Sequence, residues 1–347
     1  METLILTAAD LRLMVERVGL DELLDLMIAR LRQRFAEHDP ALTEVRTRDG
    51  FRYDKPALGL LEWMPVHDAG GSVVIKMVGY HPTNPVQRSV SSVLATSSMW
   101  DTETGHLVAL ADATLLTAMR TAAASAVATD ILAIPGSVDV GIVGLGAQSV
   151  AQLHALSRVR EVRRVLAFDT STEAAASFPQ RIGFLGVEVD IIGADSLDRV
   201  VTDVDVLVTC TSVDIGAGPV VPEATTRPWL HVNAVGADFP GKIELPSSLL
   251  EGALVVPDCV EQCVVEGECQ ALTTAGIGPD ITALVQRGEQ AHVDRTRRTV
   301  FDSTGWAIED EVALRLALEL ADAHGLGRTM QIEWDSTDPL HPYEGLV

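Results

Sequence analysis

Lysine is almost missing from this chain. Of 26 basic residues among 347, only Lys55, Lys76 and Lys242 are lysines, so arginine supplies ordinary positive charge and each lysine needs a specific reason. Positive charge as a whole is scarce too, with 49 acidic residues against those 26 and a net charge of −23. Such an excess repels phosphate backbones and anionic bilayers, which excludes nucleic acid or a membrane surface as the main partner. No apolar run approaches the ~18 residues of a membrane span. The opening METLILTAADLRLMVERVGL lacks the basic start and small-residue cleavage site of a secretory leader. A cytoplasmic protein is expected. Cysteine is also sparse, with Cys210, Cys259, Cys263 and Cys269 as the full set. The last three follow a C-x3-C-x5-C spacing with no nearby histidine, which matches no zinc pattern, so they are read as small buried hydrophobes and no metal site is expected.

What is present has an order. Residues 8–36 carry apolar positions at helical spacing, from Leu11 and Met14 through Leu31, which predicts one or two amphipathic helices. From Leu58 to about Leu110 the apolar runs shorten to LGLLEWMPV, SVVIKMVGY, SVSSVLATSSMW and GHLVALA, the pattern of strands in one sheet. ATLLTAMRTAAASAVATDILA (113–133) has neither glycine nor proline and predicts a helix. IPGS stops it. Beyond it SVDVGIVGLG, VRRVLAFD, VEVDII, DVLVTCT, WLHVNAVG and ALVVPD read as strands, the first of them separated by helix-like segments. That alternation predicts a parallel, doubly wound sheet. A long amphipathic helix follows Gly305. The expected plan is α/β: an N-terminal α+β substrate-binding and dimerisation domain (1–134), a Rossmann-type domain (135–305), and a C-terminal helix and tail (306–347) that completes the first domain.

In VDVGIVGLGAQS, Gly144 and Gly146 stand at the end of a predicted strand and just before a predicted helix. Gly144 would permit the tight turn, and Gly146 lacks the Cβ that would block a pyrophosphate at the helix N-terminus. Ser149 occupies the place of the usual third glycine. Asp169 ends the next strand, where an acid binds ribose hydroxyls and repels a 2′-phosphate, so NAD is favoured over NADP. Elsewhere the candidates are scattered. Lys76 sits in mid-strand, Arg120 lies in an otherwise apolar helix where a buried guanidinium requires an anion, and Arg48 precedes a turn signal. Three cations suit a small carboxylate ligand. Asp238 stands in a Gly/Pro-punctuated loop just after a strand, a place for an acid/base residue or equally for a turn-capping aspartate.

Taken together, EWMPV (62–66), KMVGYHPTNP (76–85), LLTAMRTAAASAVATDILA (115–133), VGLGAQSVAQLHALS (143–157), VNAVGADFPGKIELP (232–246), EGECQAL (266–272) and VFDSTGWAIED (300–310) resemble the ornithine cyclodeaminase/mu-crystallin family. Within it the likeness is to the lysine cyclodeaminases. The resemblance implies a homodimer built on the N-terminal domain and NAD held by the Rossmann domain. It also implies a small amino-acid substrate whose carboxylate meets Arg48, Lys76 and Arg120, with Arg52 a near competitor of Arg48. Asp238 would be the acid/base group and Glu62 an active-site glutamate. Cofactor contacts would fall on Thr121, Gly144, Gly146, Ala147, Gln148, Asp169, Asn233, Val235, Lys242 and Ser303.

The activity implied is cyclisation of a basic L-amino acid with loss of ammonia and internal recycling of hydride, with L-lysine to L-pipecolate expected ahead of L-ornithine to L-proline. His81 in YHPTN resembles the ornithine enzymes. A ketimine reductase or amino-acid dehydrogenase would share the fold but consume NAD(P)H. A catalytically silent binding protein would have lost Asp238 or Lys76, and both are present.

Overall fold

The computed structural model describes residues 1–288, 293–334, 337–344 and 346, and divides into two compact units. The first comprises Met1–Leu20, Asp39–Leu116 and Ala313–Val347; the second comprises Asp21–His38 and Thr117–Val312. The division therefore departs from the expected border at 134/135. It runs through the long helix α4 (Thr114–Leu132), of which only the first turn counts with the first unit. Ala122, Ala123, Ala124, Ala126, Val127 and Ala128 are fully buried in that helix. Its length and hydropathy are those of a membrane span, yet two-thirds of it is covered by protein, the signature of a core helix.

The first unit begins with β1 (Thr3–Leu6) and α1 (Ala8–Val18), which ends at Gly19 before α2 (Leu20–Ala36). A sheet follows, built from β2 (Thr43–Val45), β3 (Asp49–Tyr53), β4 (Gly59–Asp68), β5 (Ser72–Tyr80), β6 (Val93–Asp101) and β7 (Leu107–Asp112). The short helix α3 (Asn84–Arg88) interrupts it where the pattern breaks at HPTNP. The strand order is β15-β1-β7-β6-β5-β4-β2, with β3 also on β4 and β15 formed by Arg328–Met330. Pairing is antiparallel except β1 with β7, so period-2 alternation sorts the side chains. Glu62, Met64 and Val66 of β4, Val74 and Lys76 of β5, and Ser97 and Met99 of β6 are buried. Leu61 and Leu94 are exposed.

The second unit is a seven-stranded parallel sheet in the order β10-β9-β8-β11-β12-β14-β13. Its strands are β8 (Ser137–Val143), β9 (Glu161–Phe168), β10 (Glu188–Ile191), β11 (Val206–Thr209), β12 (His231–Ala234), β13 (Leu254–Pro257) and β14 (Thr299–Asp302). Helices α5 (Ala147–Val159), α6 (Thr172–Arg181), α7 (Arg199–Thr202), α8 (Ser247–Leu250), α9 (Val260–Glu266) and α10 (Ile281–Arg287) connect them. Val206 and Val208 join one core cluster while Leu207 joins the other, and Val165 and Ala167 likewise oppose Leu166. Both faces are buried, which is why these strands read as unbroken apolar runs. The order reverses between β8 and β11, the switch point of a doubly wound sheet. Helix α11 (Ala307–His324) starts in this unit and from Ala313 belongs to the first.

Candidate functional site

In the second unit β8 runs into the glycine turn and α5. Gly144 has φ +92°, and a Cβ there would lie 2.8 Å from the Cys210 carbonyl oxygen, so this turn against the end of β11 needs glycine. Gly146 differs: a Cβ there would meet nothing within 4 Å, and α5 has no side-chain cap. Open space before an uncapped helix N-terminus fits a dinucleotide pyrophosphate. Ser149, in place of the third glycine, is fully buried and donates its hydroxyl to the Gly146 carbonyl at 2.6 Å. Asp169, one residue past β9, accepts the Leu145 N–H at 2.6 Å and the Ser171 N–H at 2.7 Å. Its carboxylate thus sits beside the same loop. Gln148 donates to the Ala118 carbonyl at 3.3 Å, which ties the start of α5 to the turn of α4 carrying Thr121. Gly144, Gly146, Ala147, Gln148, Asp169 and Thr121 therefore come together.

Other expected cofactor contacts are placed differently. Asn233 is fully buried on β12, with Nδ2 donating to Thr129 Oγ1 at 2.9 Å and Oδ1 accepting from His231 Nε2 at 3.2 Å. Burial holds His231 down at about 3, so the ring is neutral and its other nitrogen accepts from Thr299. The Asn233 amide serves the interior. Val235 continues β12, donating its N–H to the Thr209 carbonyl at 2.9 Å. Ser303 is buried, with its hydroxyl 3.3 Å from Asp258 Oδ2.

Lys242 lies 2.7 Å from Asp238 Oδ1. The Lys242 side chain is 8% exposed against 44% for Asp238, so the ammonium is enclosed while the carboxylate faces outward. A tight turn joins them: the Lys242 N–H closes on the Phe239 carbonyl at 3.0 Å, with Gly241 at φ +84° after Pro240. Proline followed by a positive-φ glycine is type II turn chemistry.

Arg120 has its anion, one that no local motif identified. It is 4% exposed, with Nη1 2.6 Å from Glu309 Oε2 and Nε 2.9 Å from Asp310 Oδ1 in the first turn of α11. Desolvation works against its charge, but Asp310 and Glu309 outweigh it and hold the guanidinium above its ordinary value. Burial pushes Glu309 up to about 8 despite the cation beside it. Gly305, at φ +84°, makes room: a Cβ there would come within 2.5 Å of Arg120 Nη1. Its N–H is held by Asp258 Oδ2 at 2.7 Å.

In the first unit Arg48 Nη1 lies 3.8 Å from Glu62 Oε2, with both side chains nearly enclosed at 9% and 11% exposure. Arg52 is exposed on β3, whereas Arg48 is nearly enclosed beside Glu62. Lys76 is 1% exposed on β5, opposite Met64 and Ser97 on the face that also buries Glu62. His81 lies 3.0 Å from the Tyr53 hydroxyl and lines a pocket of about 320 Å³ with Asn84, Arg88 and Leu94. Cys263 and Cys269 are buried in the core and burial drives both thiols up, so they are inert packing groups.

The family model for ornithine cyclodeaminase/mu-crystallin matches residues 8–324. The chain belongs to this family. It is 41% identical over 344 residues to an L-lysine cyclodeaminase of Streptomyces rapamycinicus, covering 99% of both chains. A solved lysine cyclodeaminase, described with the recognition of L-lysine, L-ornithine and L-2,4-diaminobutyric acid, superposes with a TM-score of 0.94 at 43% identity, again over 99% of each chain. An archaeal alanine dehydrogenase dimer with bound NAD gives 0.83 at 30% identity, over 96% of this chain and all (100%) of that one. These relatives bear out the expected fold class, a cyclodeaminase-class enzyme, and NAD as cofactor.

Proposed function

We propose that this enzyme converts L-lysine to L-pipecolate and ammonia, with L-ornithine to L-proline as a lesser second reaction. The observation that carries the reading is the end-to-end likeness to lysine cyclodeaminases in a chain that keeps Lys76, Arg120 and Asp238 at their motifs. NAD, which Gly144, Gly146, Ala147, Gln148, Asp169 and Thr121 would hold, would supply reversible hydride acceptance at the substrate Cα. The chain's residues do the rest. Lys76 and Arg120 seat the α-carboxylate, with Arg48 as third cation, while Glu62 orients the substrate amine. Asp238 moves protons on and off the two nitrogens as the side-chain amine attacks Cα and ammonia departs. Two of the three scarce lysines then have reasons: Lys76 as a compact ammonium for the carboxylate and Lys242 beside Asp238.

Incubation with NAD and a mixture of lysine and ornithine, followed by product analysis, tests this. Pipecolate and ammonia should form with no net absorbance change at 340 nm. The alanine dehydrogenase likeness supports a second reading, in which NAD(H) is consumed; a sustained 340 nm change would select it. One methylene changes binding by about 1–3 kcal/mol, so both diamines should react and kcat/KM should favour lysine. A clear preference for ornithine would overturn the substrate but leave the chemistry.

Removing the charge at Lys76 tests the carboxylate role. A charged hydrogen bond in a closed site contributes about 1.5–3 kcal/mol, so Lys76→Met should raise KM roughly tenfold or more. The amide of the amino acid should be a very poor substrate; turnover equal to the acid would refute the assignment. Cofactor choice rests on Asp169. NAD should bind more tightly than NADP, and Asp169→Ala should narrow the difference; tighter NADP binding by the unaltered protein would reject it.

The enzyme is further proposed to be a cytoplasmic homodimer. Four cysteines without a disulfide suit a reducing compartment. Phe51, Leu61, Leu94 and Val108 of the first sheet are exposed apolar side chains that a second copy would cover. Sedimentation equilibrium should return twice the 37.1 kDa chain mass.

A further inference from the structure

The segment Glu266–Leu272 has no part in the chemistry proposed above, yet two of its side chains grip the loop that carries it. Gln270 accepts the Gly241 N–H on Oε1 at 2.8 Å and donates from Nε2 to the Lys242 carbonyl at 3.3 Å. Nε2 also donates to the Gly267 carbonyl at 2.9 Å, which anchors the amide to its own segment and fixes which end is oxygen. Glu268, fully buried, accepts the Glu244 N–H at 2.7 Å and the Leu245 N–H at 3.3 Å. The two side chains thus take up polar groups at four of the five residues from Gly241 to Leu245. These lie immediately after the turn from which Lys242 reaches back to Asp238 at 2.7 Å.

We propose that Gln270 is a positioning residue that, by pinning both sides of the Gly241–Lys242 peptide, holds the Lys242 ammonium against Asp238. The inference rests on the reading of Asp238 as the proton carrier. A lysine stem has four rotatable carbons, and its head is placed only as well as the backbone from which it springs. The turn is exposed at Pro240 and Gly241 and is held by hydrogen bonds: the Gly216 N–H donates to the Gly241 carbonyl at 3.0 Å, and the Gln270 amide takes the Gly241 N–H and the Lys242 carbonyl on either side of it. An acid/base group must be held near its productive geometry to work, and a shift of the turn would carry Lys242 away from Asp238.

The test uses the NAD-loaded enzyme with lysine and compares Gln270→Met, Lys242→Met, the double variant and Asp238→Asn. Gln270→Met keeps length and removes the three side-chain hydrogen bonds. It should lower kcat roughly tenfold while KM, NAD affinity and unfolding midpoint stay within about twofold or a few degrees. The double variant should lose no more kcat than Lys242→Met alone, because both act on one pair. If Gln270→Met does not fold, Gln270→Glu, which keeps the acceptor for Gly241, replaces it in the same cycle with the same expectation of non-additivity. Wild-type kcat in the Gln270 variant, or losses that multiply with Lys242→Met, would overturn the proposal while Asp238→Asn remained inactive. Full turnover by Asp238→Asn would instead overturn the reading of Asp238 beneath it.

Discussion

Asp238→Asn should lower kcat by roughly 10²-fold or more while NAD binding is retained, as expected for loss of a positioned acid/base group. The substitution keeps the shape of the side chain and can still accept from Lys242, so the turn between Phe239 and Lys242 should survive. What disappears is the capacity to take up and release a proton. Asparagine cannot collect a proton from the attacking amine or deliver one to the departing ammonia. Because the carboxylate is 44% exposed and lies outside both core clusters, the unfolding midpoint should hardly move. A kinetic loss without a stability loss is the signature sought. Turnover near the unaltered level, measured as ammonia release, would show that another group carries the protons.

How much of this was legible in the sequence follows from the range of the interactions. The glycine turn, α5 and the acid at 169 are separated by tens of residues at most and obey a fixed strand–turn–helix pattern, so each appears in the sequence in register. The helix expected at 113–133 is found at Thr114–Leu132 for the same reason: its propensity is local and unbroken. Strand β14 (Thr299–Asp302) escaped because it is inserted between β12 and β13 although it follows β13 in the chain, a crossover that local pattern does not report. The two compact units divide the chain elsewhere than at 134/135 because α2 and most of α4 group with the second unit by tertiary packing, which no periodicity reports. The partners of functional side chains were hidden by distance. Glu309 lies 189 positions beyond Arg120, and Glu268 is 24 from Glu244. Motifs such as EGECQ and STGWAIED marked those places without disclosing their use. Physical reading of the sequence required an anion for Arg120; only the fold named it.

Arg120→Met should destabilise the second unit by about 3–5 kcal/mol, the usual cost of removing one partner from a buried ion pair. Two carboxylates, Glu309 and Asp310, would be left in a site where neither is more than 3% exposed. Substrate binding should fall too, since the same guanidinium is proposed to meet the α-carboxylate, so the single variant cannot separate a scaffold role from a binding role. A second substitution can. Burial already pushes Glu309 up to about 8, so a neutral Gln imitates the form it leans towards at neutral pH, and Glu309→Gln alone should cost little. In Arg120→Met/Glu309→Gln position 309 is neutral without having to take up a proton on folding, and part of the lost stability should return, because replacing both partners of a buried pair is far gentler than breaking it. Affinity for lysine should not return, because no cation has been restored; KM should stay raised roughly tenfold or more. Thermal unfolding and steady-state kinetics on the four proteins of the cycle read the two roles independently. Recovery of KM together with stability would make Arg120 purely a structural partner of α11 and leave the carboxylate to Lys76 and Arg48.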